Sequence, residues 1–159
     1  FIASQQVLDS LARRLGANDP LWQRVVSRTT PPARQRREVI NGVPIHLLGL
    51  PHGGHPTVQH LAYIVELGGR RVLHVGDGDI TEDRFAPFRL DTARIDVPLL
   101  PYGASIDART LNLVQRVVRP RHIVGFHVGT NEGERVARQV RDALPAAVTF
   151  HRSLETRRW

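Results

Sequence analysis

The chain has 159 residues, 41% of them apolar and 23% charged, a balance that fits one globular domain and excludes a disordered or fibrous chain. It has no cysteine, so disulfides and thiolate metal sites are excluded, and its apolar stretches are far too short for a membrane span. The net charge is +7 and every cation is arginine; the arginines are scattered and lack aromatic neighbours that could stack on bases, so nucleic acid is not an expected partner.

In chain order, Ser4 is placed to cap a helix reaching Gly16, with Val7, Leu8, Leu11 and Leu15 on one face. A short helix is predicted after Asp19-Pro20 and ends before Thr29-Thr30-Pro31-Pro32. The Arg34-Gln35-Arg36-Arg37 run reads as a surface loop. Glu38 to Ile40 and Val43 to Leu48 read as strands about an Asn41-Gly42 turn, and Leu61 to Leu67 and Arg71 to Val75 as strands about Gly68-Gly69. Gly76 to Asp79 is a polar loop at the end of an apolar strand. A helical turn at 82–88, a strand at 95–100, an amphipathic helix at 107–118, a strand at 122–126, a helix at 132–144 and a strand at 147–150 follow. Hairpins followed by alternating strand and helix predict a layered α/β (α+β) domain.

Without cysteine, any metal must be held by histidine, carboxylate or carbonyl oxygen, which directs attention to the eight histidines. Three polar sites follow apolar strands or lie in glycine-rich loops: Pro51-His52-Gly53-Gly54-His55, His74-Val75-Gly76-Asp77-Gly78-Asp79, and Gly125-Phe126-His127. Strand ends are where side chains converge on ligands, and imidazoles with carboxylates suit Zn²⁺, Mn²⁺ or Fe. Taken singly, each has a plainer reading, as a packed histidine or a turn. His46, His74, His122 and His151 read as structural.

Gly69 to Asp77 resembles the strand and metal-aspartate loop of metallo-β-lactamase-fold hydrolases. Pro51-His52-Gly53 followed by His60 to Val65, the strand Ile95 to Pro101, and Arg119 to His127 resemble further segments of that family in the same order. The resemblance implies a mixed sheet with flanking helices, half of an αββα sandwich. It implies that His52 binds a first metal, that Asp77 bridges two and positions a metal-held hydroxide as nucleophile, and that His127 binds the second. Asp79 would orient a ligand by hydrogen bonding, and His55 is the fallback for His52. Two Zn²⁺ per complete site are implied, with Mn²⁺ or Fe as substitutes. The implied activity is hydrolysis of a small-molecule ester, lactone, amide or phosphodiester.

The family's His-x-His-x-Asp-His string, which supplies most of the ligands, is absent from these residues. The chain begins at Phe1 and contains no Met. The expectation is therefore a fragment, residues 1–159 forming one domain without its N-terminal half, completed by the same or another chain. Position 60, often Asn in the family, is His here and reads as a surface strand residue. No secretion leader is visible, so a cytoplasmic location is expected. Homo-oligomerisation is a further expectation, since the apolar face left by a missing half needs cover. Two rivals are weaker. A nucleotide or S-adenosylmethionine loop at 72–80 lacks its acidic residue and its crossover helix, and a calcium loop at 77–83 lacks its turn glycine. A third reading is a non-catalytic scaffold or assembly subunit.

Overall fold

The structure, a computed structural model, describes residues 1–129, 131–150 and 156. His151 lies outside the described residues.

A seven-stranded mixed sheet organises the chain. Its order is β3 (Gln35–Ile40), β4 (Val43–Leu48), β5 (Ala62–Leu67), β6 (Arg70–His74), β7 (Val97–Pro101), β8 (Val124–Phe126) and β9 (Val148–Thr149). Strands β3 to β6 form an antiparallel meander, and β6 to β9 run parallel. The change of pattern follows the connections. Two-residue turns join β3 to β4 and β5 to β6: Asn41 and Gly42 have φ of 51° and 79°, and Gly68 and Gly69 have 55° and 74°, while the 49–61 loop joins β4 to β5. Paired left-handed residues give the turn whose twist matches the flanking strands. Parallel neighbours need longer crossovers, supplied by α2 (Glu82–Phe85), α3 (Tyr102–Ile106), α4 (Ala108–Val117) and α5 (Gly133–Ala143).

The helices cover one face of the sheet. Leu48, Ile64, Leu73 and Leu100 pack there against Phe85, Phe88, Val114, Val136 and Val140, each at most 3% exposed. On the other face Val65, Val72, Val97 and Leu99 are only partly buried. Near its antiparallel edge lie a small parallel sheet, β1 (Ile2–Ala3) with β2 (Val26–Ser27), and α1 (Gln5–Ala12), capped by the Ser4 hydroxyl. Tyr63 Oη donates to Ile2 O at 3.3 Å, tying β1 to β5. No residue of α1 is fully buried: Leu8 and Leu11 are partly covered and Val7 is exposed. Among the described residues no helix is long and apolar enough to cross a membrane.

Two expectations need correction. Gln35 to Arg37 are not loop: they belong to edge strand β3 and pair with Leu48, Leu47 and His46. An edge strand keeps one side in water, so arginines are tolerated there, and their charge opposes pairing with another sheet. The first helix stops at Ala12, short of Gly16, its end tightening into turns in which Arg14 N and Leu15 N both donate to Leu11 O.

Asp96 ties the start of β6 to the start of β7. Its carboxylate accepts from Arg71 N at 3.0 Å and Arg70 Nη1 at 3.1 Å, and Arg121 Nε lies 3.5 Å away. The Arg71 backbone N–H is the main cause that holds its pKa below the ordinary 3.8, with Arg70 and Arg121 adding to it. A depressed carboxylate stabilises the fold above its unfolded pKa, and that contribution is lost as pH falls through the folded value. Asp96→Asn is therefore expected to lower stability most above about pH 5, with the gap to wild type closing below about pH 4. Urea unfolding across that range checks it; a gap that is constant with pH contradicts the assignment.

Candidate metal centre

The candidate residues sit at the end of the sheet where β6, β7 and β8 finish. After His74 the chain turns sharply: Gly76 has φ of 56°, and its N–H donates to His74 Nδ1 at 3.0 Å. Buried Val75 anchors the turn, and Asp77 projects from it with 47% of its side chain exposed. Gly78 fits tightly, since a Cβ there would lie 2.3 Å from Leu50 Cδ2 and 2.8 Å from Val75 O.

The loop bearing His52 is stitched to this turn by backbone. His52 and Gly78 form an antiparallel bridge, Gly53 N donates to Asp77 O at 2.8 Å, and Asp79 N donates to Pro51 O at 2.8 Å. His52 Nδ1 lies 2.6 Å from Gly53 O, a carbonyl that can only accept. Nδ1 therefore carries the proton and Nε2 keeps its lone pair, the form that can bind a metal.

His127 arrives from the end of β8. Its Nδ1 is 2.9 Å from Asp77 Oδ1, and its side chain is 64% exposed. Its φ is 62°, a left-handed conformation that a non-glycine residue adopts at a cost and that recurs at functional sites. The structure thus joins Asp77 and His127 directly and bridges His52 by backbone to Gly78, the residue after Asp77. His55 is exposed, its ring centroid 5.2 Å from that of His52. The Asp79 carboxylate lies 3.5 Å from Arg84 Nε, and its backbone N–H supplies one of the bonds that hold the His52 loop.

His60 is not the surface strand residue expected from sequence. It precedes β5 and is partly buried, with its ring centroid 5.7 Å from that of His52 in an edge-to-face arrangement. Its Nδ1 donates to Leu50 O at 2.9 Å. Its Nε2 lies 2.5 Å from where a Cβ on Gly76 would be, so only glycine fits there. Burial holds its pKa below the ordinary 6.5. Burial does the same to His74, whose ring lies 4.7 Å from that of Phe126. The sequence signal for His60 was the departure from Asn at that position. A cavity of about 500 Å³ opens beside His60, walled by Thr30, Pro31, Leu50, Val58 and Arg84. The buried Thr30 hydroxyl has no hydrogen-bond partner among the described residues.

No family model matches the sequence. Over 81 residues the chain is 32% identical to a UPF0173 metal-dependent hydrolase of Anaeromyxobacter dehalogenans (strain 2CP-C), a match covering 48% of this chain and 29% of that protein. Igni18, a metallo hydrolase from the archaeon Ignicoccus hospitalis KIN4/I, superposes with a TM-score of 0.59 at 18% identity, over 93% of this chain and 63% of that one. YhfI from Bacillus subtilis, a metallo-β-lactamase fold protein, superposes with a TM-score of 0.53 at 11% identity, over 93% of this chain and 60% of that one. This chain has the metallo-β-lactamase fold.

The match to the curated relative thus spans under a third of that protein's length. Within the metallo-β-lactamase fold a metal is implied, and the donor types here suit one: two imidazoles with free or exposed nitrogens and a carboxylate at one exposed sheet end. The donor number is incomplete. Among the described residues no three His, Asp or Glu side chains lie close enough to share one ion.

Proposed function

We propose that this chain is the C-terminal part of a metal-dependent hydrolase, with His52, Asp77 and His127 as its share of a two-zinc centre. The observation that carries the reading is the direct contact of Asp77 with His127 at 2.9 Å, made between segments fifty positions apart at the sheet end. A solvent-exposed pair adds little to stability, and this one is left open to solvent on both sides. The 32%-identical relative, a UPF0173 metal-dependent hydrolase, points the same way.

His52 would offer Nε2, since Gly53 O fixes the proton on Nδ1. Asp77 can reach two positions through its two carboxylate oxygens, one of which now faces His127. Asp79 keeps the His52 loop in register through its backbone, and its carboxylate holds Arg84 at the rim of the adjoining cavity. A bound pair of divalent cations would supply a water of lowered pKa and would stabilise negative charge on the attacked group. The remaining ligands would come from a His-x-His-x-Asp-His segment in the same or another chain. The substrate would be a small ester, lactone, amide or phosphodiester held in the cavity beside His60, and the ions Zn²⁺, or Mn²⁺ or Fe.

The test is metal analysis and ester, lactone and phosphodiesterase assays on the protein with its complementary segment present, before and after chelation. Hydrolysis lost on chelation and restored by Zn²⁺ or Mn²⁺ supports the reading. A stoichiometrically metal-free protein, or activity indifferent to chelation, overturns it.

A further inference from the structure

A second cavity, about 340 Å³, lies away from the candidate centre, between the helix-covered face of the sheet and the turn that follows Phe88. Arg37, His46, Arg71 and Arg89 line it, with Ile64 and Phe88 as its apolar part. Three guanidiniums and an imidazole therefore face one space, and no carboxylate lines it among the described residues.

The fold explains the convergence. Arg37 and His46 are cross-strand partners, and His46 pairs in turn with Ile64. Side chains at paired positions point to the same face, so the three form a row across β3, β4 and β5. Arg71, paired with Glu66 across β5 and β6, lies one row further along. It is fixed from two sides: Nη1 donates to Ala93 O at 2.7 Å, and Nη2 lies 3.2 Å from Glu66 Oε1. Arg89 closes the space from the turn, where its own φ is 49°, and Thr92 Oγ1 braces that turn by donating to Arg89 O at 2.9 Å.

The local charge is unbalanced. Glu66 offsets Arg71, and Asp91 lies 3.6 Å from Arg89. Arg37 has no ion pair among the described residues. His46 Nε2 is buried and unsatisfied, 3.6 Å from Glu66 Oε1 and too far for a good hydrogen bond. Glu66 Oε1, the acceptor nearest this nitrogen, is likewise buried without a hydrogen-bond partner among the described residues, so the cationic excess of the cavity rests on the unpaired Arg37 guanidinium beside His46. Guanidiniums bind phosphate oxygens in pairs of charge-assisted bonds, which a compact dianion exploits better than a monoanion.

We propose that this cavity binds a small phosphate-bearing molecule, its phosphate held by Arg37, Arg71, Arg89 and His46 and its apolar part lying on Phe88 and Ile64. Arg71 is the second residue of β6 and Asp77 follows the strand's end, so the two sites are on the order of 15 Å apart along the strand. The phosphate site therefore does not depend on the proposed metal chemistry, and its ligand would act as a regulator or a structural anchor.

The test is a titration of this chain with inorganic phosphate, followed by backbone amide NMR at constant ionic strength, with acetate as the monoanion control. Saturable shifts at Arg37, His46, Arg89 and Thr92 are expected, with acetate binding about tenfold more weakly. The Arg37→Gln/Arg89→Gln double variant should weaken phosphate by at least about tenfold with unchanged thermal unfolding, since both side chains are exposed. Arg14→Gln, which removes an exposed arginine elsewhere, should leave binding unchanged. Phenyl phosphate should bind more tightly than phosphate. Non-saturable shifts, equal binding by the double variant, equal binding of acetate, or shifts confined to the 52–55 and 76–79 loops would each overturn the site.

Discussion

Asp77→Ala is expected to remove metal from the protein that carries this chain, weakening affinity by more than about 100-fold. Loss of a group that merely orients a ligand already costs about 10- to 100-fold, and Asp77 is proposed as a ligand itself. The expected loss is local. Asp77 is half-exposed and the contact that holds the turn, Gly53 N to Asp77 O, is made by its backbone, which alanine keeps. Thermal unfolding of the metal-free variant should match wild type, while metal content after dialysis falls to background. Asp77→Asn keeps the shape and loses the charge, so it should fall between the two. An Asp77→Ala protein with undiminished metal content would remove this residue from the centre.

The largest expected effect on stability lies at Gly49. A Cβ there would meet Pro31 O at 1.9 Å, Pro31 C at 2.6 Å and Thr30 O at 2.8 Å, all of them backbone. No side-chain rotation relieves such contacts, so the 30–34 segment must move away. That segment is bonded on both sides of the glycine: Gly49 N donates to Arg34 O at 2.9 Å, and Ala33 N donates to Gly49 O at 3.0 Å. Gly49→Ala should destabilise by about 3 kcal/mol, lowering the melting temperature by about 10 °C. Gly16→Ala is the comparison, because nothing lies within 4 Å of its Cβ position, and it should stay within about 0.5 kcal/mol of wild type. Similar melting of the two variants would show that the 30–34 crossing yields easily.

The parts of the fold that were legible in the sequence are those with local causes. Asn41-Gly42 and Gly68-Gly69 announce their turns because few other residues accept left-handed backbone, and α4 and α5 announce themselves through apolar spacing. Helix α3 was not legible: five residues directly after Pro101 carry no periodicity, and it forms because Tyr102 and Ser105 find partners in α5 and at the end of β7. The pairing of β1 with β2 joins segments too short to signal a strand alone. At the candidate centre, Asp77 and His127 were marked by their places at strand ends and by the family resemblance. His60 was not, because its importance comes from Leu50 O and Gly76, neighbours that only the folded chain assembles.

The change from antiparallel to parallel pairing at β6 also sets an order of assembly. Two of the meander's three connections are two-residue turns and the third is the 49–61 loop, so its pairing needs only segments adjacent in sequence and can form early. The strands beyond β6 must wait for long excursions to return before their contacts reward the lost freedom. Asp77 stands at that boundary and His127 at the far side of two such excursions. The pair between them is thus among the last contacts to close. A chain caught before that stage would hold its hairpins with its imidazole and carboxylate still apart, so the arrival of His127 at Asp77 is a natural reporter of the final folding step.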